Sequence, residues 1–341
     1  HEQGAAHAAD GYARTSGKVG VVFATSGPGA TNLVTGIATA MMDSVPIVAI
    51  TCNVTTDLLG KDSFQEIDIV GVTTPITKHN FLVKSAEDIA PTIRRAFKIA
   101  RSGRPGPVLV DITKDATGNM CEFEPEIQDT SVERKIESDE NAFKAAIELI
   151  ESAKRPLIYA GGGVIAAEAA EELKRFRAKI DSPVTLSLMG LGAFPASDKA
   201  FTGMIGMHGT KTTSLAISEC DLLIAVGARF SDRVTCNIQT FAPNAKVLHI
   251  DTDRAEIDKN VKTDHSIIGD AKLVLERLAK TVKQQHHDEW MNKIYEWEGE
   301  YPIHKPYDGV FTPQCIMETV NAAIGRDSIA TTDVGQHQMW A

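Results

Sequence analysis

The sequence predicts an α/β protein with two successive doubly wound parallel-sheet domains and the start of a third domain. Short, nearly all-apolar runs, such as residues 19–24 and 222–226, are typical of strands buried on both faces of a parallel sheet. These runs alternate with helical stretches, which is the pattern of open sheets covered by crossover helices. Residues 117–140 carry many charges and no useful apolar period, so we expect a linker there.

The first domain is expected to span residues 1–118. A helix is predicted from Glu2 to Arg14, because alanine is abundant there and Gly17 stands where a helix stop is expected. The apolar runs that follow predict strands at residues 19–24, 45–50, 81–83 and 108–112 and helices at residues 33–42 and 86–102.

The second domain is expected at residues 139–283, and a third domain is expected to begin at residues 308–341. Trp290 and Trp297 are seven residues apart, so we expect them to share a helical face and to pack against a neighbouring domain. The second domain is predicted to contain strands at residues 157–160, 184–188, 222–226 and 247–250 and helices at residues 141–150, 166–180 and 271–283. The third is predicted to begin with a helix at residues 314–324 and a strand at residues 328–332.

Composition argues against several classes of protein. The net charge is −10 and the basic residues form no dense cluster, so we expect no nucleic-acid partner. No apolar run approaches the ~20 residues that cross a bilayer, so we expect no membrane association. The five cysteines form no CxxC pair and the ten histidines no HExxH, which favours a reducing, cytosol-like compartment and no transition-metal site. The chain begins without Met, so we expect an excerpt with any targeting segment upstream.

The first candidate site is the turn Thr25-Ser26-Gly27-Pro28-Gly29 between a predicted strand and a predicted helix. Such a turn brings bare backbone and free amide groups to the carboxyl edge of a sheet, where open α/β sheets bind ligands. Its spacing is not GxGxxG, so the dinucleotide fingerprint is absent from this turn. Glu2 is the candidate catalytic acid, although an acid in a first helical turn also interacts with the helix dipole.

HEQGAAHAADGYAR followed by TSGPGATNLVTGIATA resembles the pyrimidine-binding domain of thiamine diphosphate enzymes, most closely the acetohydroxyacid (acetolactate) synthases. The resemblance implies thiamine diphosphate and Mg2+ as cofactors, with Gly27 and Gly29 at the cofactor. It also implies that Glu2 hydrogen-bonds the aminopyrimidine ring. The implied reaction is decarboxylation of pyruvate and ligation to a second 2-keto acid, pyruvate or 2-ketobutyrate, at the start of branched-chain amino-acid biosynthesis.

The same resemblance places Phe64, Gln65 and Lys114 at the substrate entrance. This chain departs from the family at that entrance, with Cys52-Asn53-Val54-Thr55 where Gly-Gln-Val-Pro is usual and Thr113-Lys114-Asp115 where Pro-Lys-Asp is usual. We therefore expect the shape of the channel to differ more than the chemistry.

Groups that suit a nucleotide follow the predicted strands of the second domain. Three consecutive glycines, residues 161–163, stand between a strand and a helix, as in a phosphate cradle. Guanidinium groups suit a diphosphate and an acid suits a ribose hydroxyl, and both kinds of residue follow other strands in this domain. In the FAD-dependent synthases this domain binds FAD and carries an RFDDR signature, whereas this chain has RFSDR with Ser231 in place of the first acid. The resemblance assigns to FAD the residues Arg104, Gly161, Gly162, Gly163, Met207, His208, Gly227, Ala228, Arg229, Asp232, Arg233, Asp251 and Asp270.

The family holds the diphosphate and Mg2+ with a GDG motif and a downstream Asn in its third domain. No GDG motif occurs before Ala341, so we expect this anchor to lie beyond the chain and the piece alone to be inactive. The resemblance further implies a homodimer or higher oligomer, a regulatory small subunit, and a cytoplasmic location in bacteria or an organellar one in eukaryotes. Glyoxylate carboligase has similar motifs but lacks the carboxylate at the position of Glu2, and pyruvate oxidase matches less well. A nucleotide-binding or regulatory module without catalysis also remains open.

Overall fold

The computed structural model describes residues 1–123, 125, 134–303, 309–325 and 327–340. The Cα positions form two compact units, His1–Arg134 and Lys135–Ala341. The expected linker lies at the boundary between the units, and its residues 124 and 126–133 are outside the described part. Each unit contains one parallel sheet with helices between most successive strands, so the predicted fold class is confirmed.

Four parallel strands form the sheet of the first unit, in the order β1-β2-β4-β3. The strands are β1 (Gly20–Ala24), β2 (Ile47–Asn53), β3 (His79–Val83) and β4 (Val108–Thr113). The helices are α1 (Glu2–Ser16), α2 (Pro28–Thr31), α3 (Val34–Asp43), α4 (Ile69–Thr73), α5 (Ala86–Arg101) and α6 (Lys114–Gly118). All four strands overlap their predicted positions.

Alternate residues of the buried strands point to opposite layers of this unit. Ile47 packs in the cluster that contains α1 and α3, whereas Val48 packs in the cluster that contains α5. Gly36 allows α1 and α3 to approach closely, because a Cβ there would overlap the side chain of Ala6. The sheet is therefore covered on both faces, and its carboxyl edge remains the open end.

The second unit has a six-stranded parallel sheet in the order β10-β9-β8-β5-β6-β7. Counted along the chain this is the doubly wound order 3-2-1-4-5-6, whose direction reverses between β5 and β8. The strands are β5 (Pro156–Ala160), β6 (Val184–Leu186), β7 (Phe201–Met204), β8 (Leu222–Val226), β9 (Lys246–Asp251) and β10 (His265–Ile268). The helices are α7 (Glu140–Ser152), α8 (Gly162–Ala166), α9 (Ala170–Ile180), α10 (Lys211–Glu219), α11 (Asp232–Thr235), α12 (Ala271–Thr281), α13 (Asp288–Glu300), α14 (Pro313–Ile324) and α15 (Gln336–Trp340).

Several details of the second unit differ from the prediction. The helix expected at residues 166–180 is α9, which begins only at Ala170, because the chain turns at Glu168, whose φ is 52°; the short helix α8 before this turn was not predicted. Strands β7 and β10 were not predicted; each has four residues and lies at an edge of the sheet. The strand expected at residues 328–332 is absent from the described part, since none of the strands described pairs with it.

The prediction that Trp290 packs against a neighbouring domain is wrong. Trp290 is 3% exposed and lies in the same core cluster as Leu157 and Tyr159 of β5. Its indole Nε1 donates a hydrogen bond of 2.9 Å to the carbonyl oxygen of Pro156, and its ring meets Trp297 edge to face at 5.9 Å. Helix α13 thus belongs to the second core, which extends past residue 283.

Candidate functional site

The glycine turn after β1 has a backbone that a larger residue would strain. Gly27 has φ 60° and ψ −120°, and it precedes Pro28, the first residue of α2. A Cβ at Gly27 would lie 2.8 Å from the carbonyl oxygen of Gln65. Glycine is therefore required both by the dihedral angles and by the close approach of the loop that carries Gln65.

Glu2 lies beside this turn. It is the first residue of α1, it is half-buried, and its Oε2 accepts a hydrogen bond of 3.0 Å from Asn32 Nδ2. A Cβ at Gly29 would stand 3.5 Å from Glu2 Oε1 and 2.7 Å from Thr25 Cγ2. Hydrogen bonds from its own backbone amide and from Asn32 lower the pKa of Glu2 below its ordinary value. The structure thus brings Glu2, Gly27 and Gly29 together at the carboxyl edge of the first sheet.

The loop with Phe64 and Gln65 is held in a tight conformation. Gln65 has φ 58°, in the left-handed region that a residue with a side chain rarely adopts. The Glu66 carboxylate accepts hydrogen bonds from the backbone amides of Gly60 and of Ser63, the latter at 2.9 Å, and these lower the pKa of Glu66. Phe64 is 87% exposed. Gln65 is therefore placed against the glycine turn, whereas Phe64 projects toward solvent in this chain.

Lys114 follows β4 and contacts the other end of the same loop. It is the exposed first residue of α6, and its backbone amide donates to the carbonyl oxygen of Val54 at 3.4 Å. Next to it, Asp115 accepts a hydrogen bond of 3.1 Å from the Thr56 amide, and hydrogen bonding by Thr56 lowers the pKa of Asp115 to about 2. The residues after β4 therefore hold Val54 and Thr56 at the start of the loop. Gln65, further along the same loop, meets Gly27.

A buried acid that the sequence analysis missed supports this loop. Asp111 is 1% exposed in the middle of the apolar strand β4. Its carboxylate accepts hydrogen bonds of 2.7 Å from Thr51 Oγ1 and 2.6 Å from Asn53 Nδ2, while Asn53 Oδ1 accepts from the Val54 amide. Burial raises the pKa of Asp111, and the two side-chain hydrogen bonds oppose that rise. A lone acid within an apolar strand was the available signal.

In the second unit, the three consecutive glycines follow β5 at the point where the strand order reverses. A Cβ at Gly161 would lie 2.7 Å from Ala228 Cα, and a Cβ at Gly163 would lie 2.6 Å from Gly227 Cα. A Cβ at Gly162 would lie 3.2 Å from the Met189 backbone. The space in front of Gly161 and Gly163 is thus filled by the backbone after β8, so close packing alone accounts for these two glycines.

The segments after β7 and β8 meet although β5 and β6 separate these strands in the sheet. The amide of Met207 donates to the carbonyl oxygen of Arg233 at 2.8 Å, and Arg233 Nη1 lies 4.0 Å from Met207 Sδ. Met207 is 52% exposed, and His208, Asp232 and Arg233 are also exposed. These predicted cofactor residues therefore cross the carboxyl edge above β5 and β6.

Arg229 lies three residues after the end of β8, and Asp251 is the last residue of the neighbouring strand β9, at the same edge. The Tyr159 hydroxyl donates to the carbonyl oxygen of Arg229 at 3.1 Å, which fixes the backbone after β8 next to Ala228. Asp251 accepts from the amide of Asp253 at 2.8 Å, and Asp270 caps α12 by accepting from the amides of its first turn.

His249 is fully buried in β9, two residues before Asp251. Its Nε2 lies 3.0 Å from the Ala228 carbonyl oxygen, and its Nδ1 has no hydrogen-bond partner among the described residues. Burial lowers the pKa of His249. A neutral imidazole that holds the Ala228 carbonyl therefore fixes the backbone between β8 and Arg229.

Arg104 lies at the amino ends of the strands of the first sheet, whereas Glu2 lies at their carboxyl ends. It is in the loop that precedes β4, and its Nε donates to Ser44 Oγ, which precedes β2, at 2.7 Å. Its predicted role at FAD therefore draws no support from its own unit.

Two family models match this chain, and both describe the same enzymes. Residues 1–72 match "Thiamine pyrophosphate enzyme, N-terminal TPP binding domain", and residues 143–278 match "Thiamine pyrophosphate enzyme, central domain". The first match contains Glu2, the glycine turn and Gln65, and the second contains the whole sheet of the second unit. The chain belongs to the thiamine pyrophosphate enzyme family.

Curated relatives align with the whole chain. It is 49% identical to a protein of Parasynechococcus marenigrum named "Acetolactate synthase large subunit" and covers 57% of that protein's length. It is 48% identical to a "Probable acetolactate synthase large subunit" of Methanocaldococcus jannaschii and 45% identical to an "Acetolactate synthase large subunit" of Cyanidium caldarium, covering 60% of each. The chain thus spans less than two thirds of the length of these relatives.

Neither a cluster of metal ligands nor a membrane-spanning helix occurs in the described part of the chain. There, no group of three or more His, Cys, Asp or Glu side chains is arranged to hold a metal ion. Among the same residues, none of the helices combines the length and apolarity needed to span a bilayer.

Proposed function

We propose that this chain is part of an acetolactate synthase, which decarboxylates pyruvate and joins the two-carbon product to pyruvate or 2-ketobutyrate. The observation that supports the proposal is the Glu2 carboxylate held by Asn32 beside Gly29, in a chain 44–49% identical to relatives named for this activity. Bound thiamine diphosphate would supply the carbon that adds to the keto group and accepts the electrons released on decarboxylation.

The side chains around the turn fit the aminopyrimidine ring of that cofactor. Glu2 would hydrogen-bond a ring nitrogen, while Gly27 and Gly29 would let the ring approach the backbone at the carboxyl edge. The substrate entrance would be lined by Gln65, which lies next to the turn, and by Phe64 on the same loop. Lys114, which contacts the start of that loop, would line it as well. The diphosphate and Mg2+ would be held by groups outside the described residues.

We infer that FAD binds at the carboxyl edge of the second sheet. The strand order reverses between β5 and β8, and ligands of open α/β sheets bind at such points. Arg229 lies three residues after the end of β8, and Met207 and Arg233 bridge the edge above β5 and β6. Adding FAD to the chain should raise the melting temperature of the second unit by mass action. Equal shifts in the parent and in Arg229→Ala would overturn the role of Arg229, and no shift in the parent would overturn the FAD site.

The remaining parts of the proposal concern assembly. A dimer or higher oligomer would complete the site by bringing the diphosphate-binding groups of one subunit to Glu2 of another. A regulatory small subunit is proposed because the relatives are named large subunits.

The catalytic role is tested by Glu2→Gln in the complete enzyme. Gln keeps the size and a hydrogen-bonding amide but removes the exchangeable carboxyl proton. If Glu2 activates the cofactor, acetolactate formation and hydrogen–deuterium exchange at the thiazolium carbon should both fall by roughly 10²–10⁴-fold with the fold intact. If Glu2 only caps a helix, the change should cost at most about 1 kcal/mol of stability and leave turnover near normal.

Glu87→Gln is the matched control. Glu87 is also an acid in the first turn of a helix, α5, and hydrogen bonds from Ser85 and from its own amide lower its pKa. It follows β3, and two strands, β2 and β4, lie between β3 and β1, the strand that precedes the glycine turn. This variant should keep parental activity, and exchange as fast in Glu2→Gln as in Glu87→Gln would refute the assigned role.

A further inference from the structure

Asn32 is the only side chain outside α1 whose hydrogen bond to Glu2 is resolved among the described residues. We propose that Asn32 is a positioning residue that fixes the Glu2 carboxyl group and selects which of its oxygens faces the cofactor ring. This inference rests on the proposed role of Glu2. The family descriptions and the names of the relatives assign Asn32 nothing.

The backbone around Asn32 is anchored firmly enough to fix its side chain. Asn32 ends the short helix α2, and its amide donates to the Pro28 carbonyl oxygen at 3.0 Å. Ala30 and Leu33 on either side are 1% and 0% exposed in the core that contains α1 and α3. Asn32 is thus held by core residues on both sides. Its side-chain amide contacts Glu2, which lies 30 residues earlier in the chain.

The donor in this contact determines how the carboxyl group can act. The Asn32 Nδ2 group has only donors, so Glu2 Oε2 serves as an acceptor and a carboxyl proton is better carried on Oε1. Oε1 is also the oxygen nearest to Gly29, where bare backbone leaves room for a ring. Asn32 therefore directs the proton-carrying oxygen toward the cofactor side of the turn.

The same hydrogen bond stabilises the charged form of Glu2. It acts with the Glu2 backbone amide to lower the pKa of the carboxyl group. Replacing Asn32 by Asp would put a second carboxyl group about 3 Å from the first, and such pairs share a proton, so one of the two pKa values rises strongly. This gives the proposal a signature that a purely structural contact between α1 and α2 would not produce.

The test is a double-mutant cycle in the complete enzyme, with Glu2→Gln, Asn32→Leu and the combination. Thiamine diphosphate affinity, measured by calorimetry with Mg2+ present, is read beside the exchange rate at the thiazolium carbon. Asn32→Leu should lower the thiamine diphosphate affinity and the exchange rate by two factors whose product is roughly 10–100. This is the range for a lost hydrogen bond to a charged group. The same replacement in the Glu2→Gln background should change cofactor affinity less than about threefold.

Thr31→Ala is the control for damage to α2. It removes a hydrogen bond of 3.1 Å from Thr31 Oγ1 to the Pro28 carbonyl oxygen on the same helix without touching Glu2. This variant should match the parent in both readouts. Asn32→Asp should move the alkaline limb of the pH profile of kcat/KM, where the required carboxyl proton is lost, upward by about one pH unit or more, because two carboxyl groups that share a proton hold it to higher pH.

The possible failures separate the two proposals. If Asn32→Leu costs as much affinity with Gln at position 2 as with Glu, or leaves both readouts unchanged, Asn32 does not act through Glu2 and the inference is overturned. An unshifted pH profile in Asn32→Asp would overturn it as well. A parental exchange rate in Glu2→Gln alone would instead overturn the proposed function of Glu2, whatever the Asn32 variants do.

Discussion

Replacing Gly163 by alanine should destabilise the second unit even when no cofactor is present. The new Cβ would lie 2.6 Å from Gly227 Cα and 2.9 Å from the Gly227 carbonyl oxygen. The backbone has little freedom to yield, since the Gly163 amide donates to that oxygen at 2.9 Å and the Gly227 amide donates to Ile250 of β9 at 2.8 Å. The close approach of α8 to the end of β8 is therefore part of the sheet's own architecture.

The expected size of the effect follows from two opposing contributions. Overpacking a tight backbone contact costs about 1–3 kcal/mol. Replacing glycine by alanine also restricts the unfolded chain, which returns about 0.4–1 kcal/mol. The net loss should be about 1–2 kcal/mol, and for a unit of this size each kcal/mol lowers the melting temperature by roughly 2–4 °C. We therefore expect Gly163→Ala to melt roughly 2–8 °C below the parent.

Tryptophan fluorescence is a suitable probe, because Trp290 and Trp297 both lie in the second unit and Trp290 lies in its core. Gly299→Ala is the control within the same unit: Gly299 is exposed in α13, and an added Cβ would meet nothing within 4 Å. It should raise stability by about 0.5–1 kcal/mol. A parental melting temperature for Gly163→Ala without FAD, combined with weaker FAD binding, would show that the glycine is kept for the cofactor and refute the packing argument.

Two further changes test the cores that hold the candidate sites. Asp111→Asn should lower the free energy of unfolding by about 1–3 kcal/mol at neutral pH, because a new NH2 group would face the donor of Thr51 or Asn53. Burial raises the pKa of Asp111 above its unfolded value, so the parent loses stability as the pH rises through that window, and urea titrations of the variant should lack this slope. Trp290→Phe should cost about 1–2 kcal/mol through the lost hydrogen bond to Pro156 and the lost ring volume, measured by circular dichroism, and Trp297→Phe should cost less. A Trp290→Phe variant as stable as the parent would contradict the placement of α13 in the second core.

The sequence was sufficient for elements whose apolar pattern is local. Strands such as β5 and β8 are continuous apolar runs, as expected of strands that are buried on both faces of a parallel sheet. The edge strands β7 and β10 contain Gly203 and His265, because an edge position is less completely covered, and their composition does not distinguish them from loops. The position of Trp290 could not be predicted either, since helical spacing shows which residues share a face but not what that face meets.

Contacts between distant parts of the chain explain most of what the sequence analysis missed at the candidate site. Asn32 stands in a motif that drew attention for its glycines, yet its partner is 30 residues away and the spacing has no local period. Asp111 is 60 residues from Thr51. In both cases the residue type indicated a polar contact, but only the parallel register and the packing of α2 on α1 determine which partner is within reach.

The two glycine-rich turns show why the same motif carries different weight in the two units. The first follows β1 and the second follows β5, and each opens a helix, so the sequence predicts bare backbone at a ligand edge in both units. At the first turn, an added Cβ would meet Gln65 and would stand near Glu2, which are themselves the candidate site residues. At the second, an added Cβ on Gly161 or Gly163 would meet only the chain after β8. Substitution at Gly27 or Gly29 should therefore disturb chemistry at the first site directly, whereas substitution at Gly161 or Gly163 acts through the stability of the second sheet.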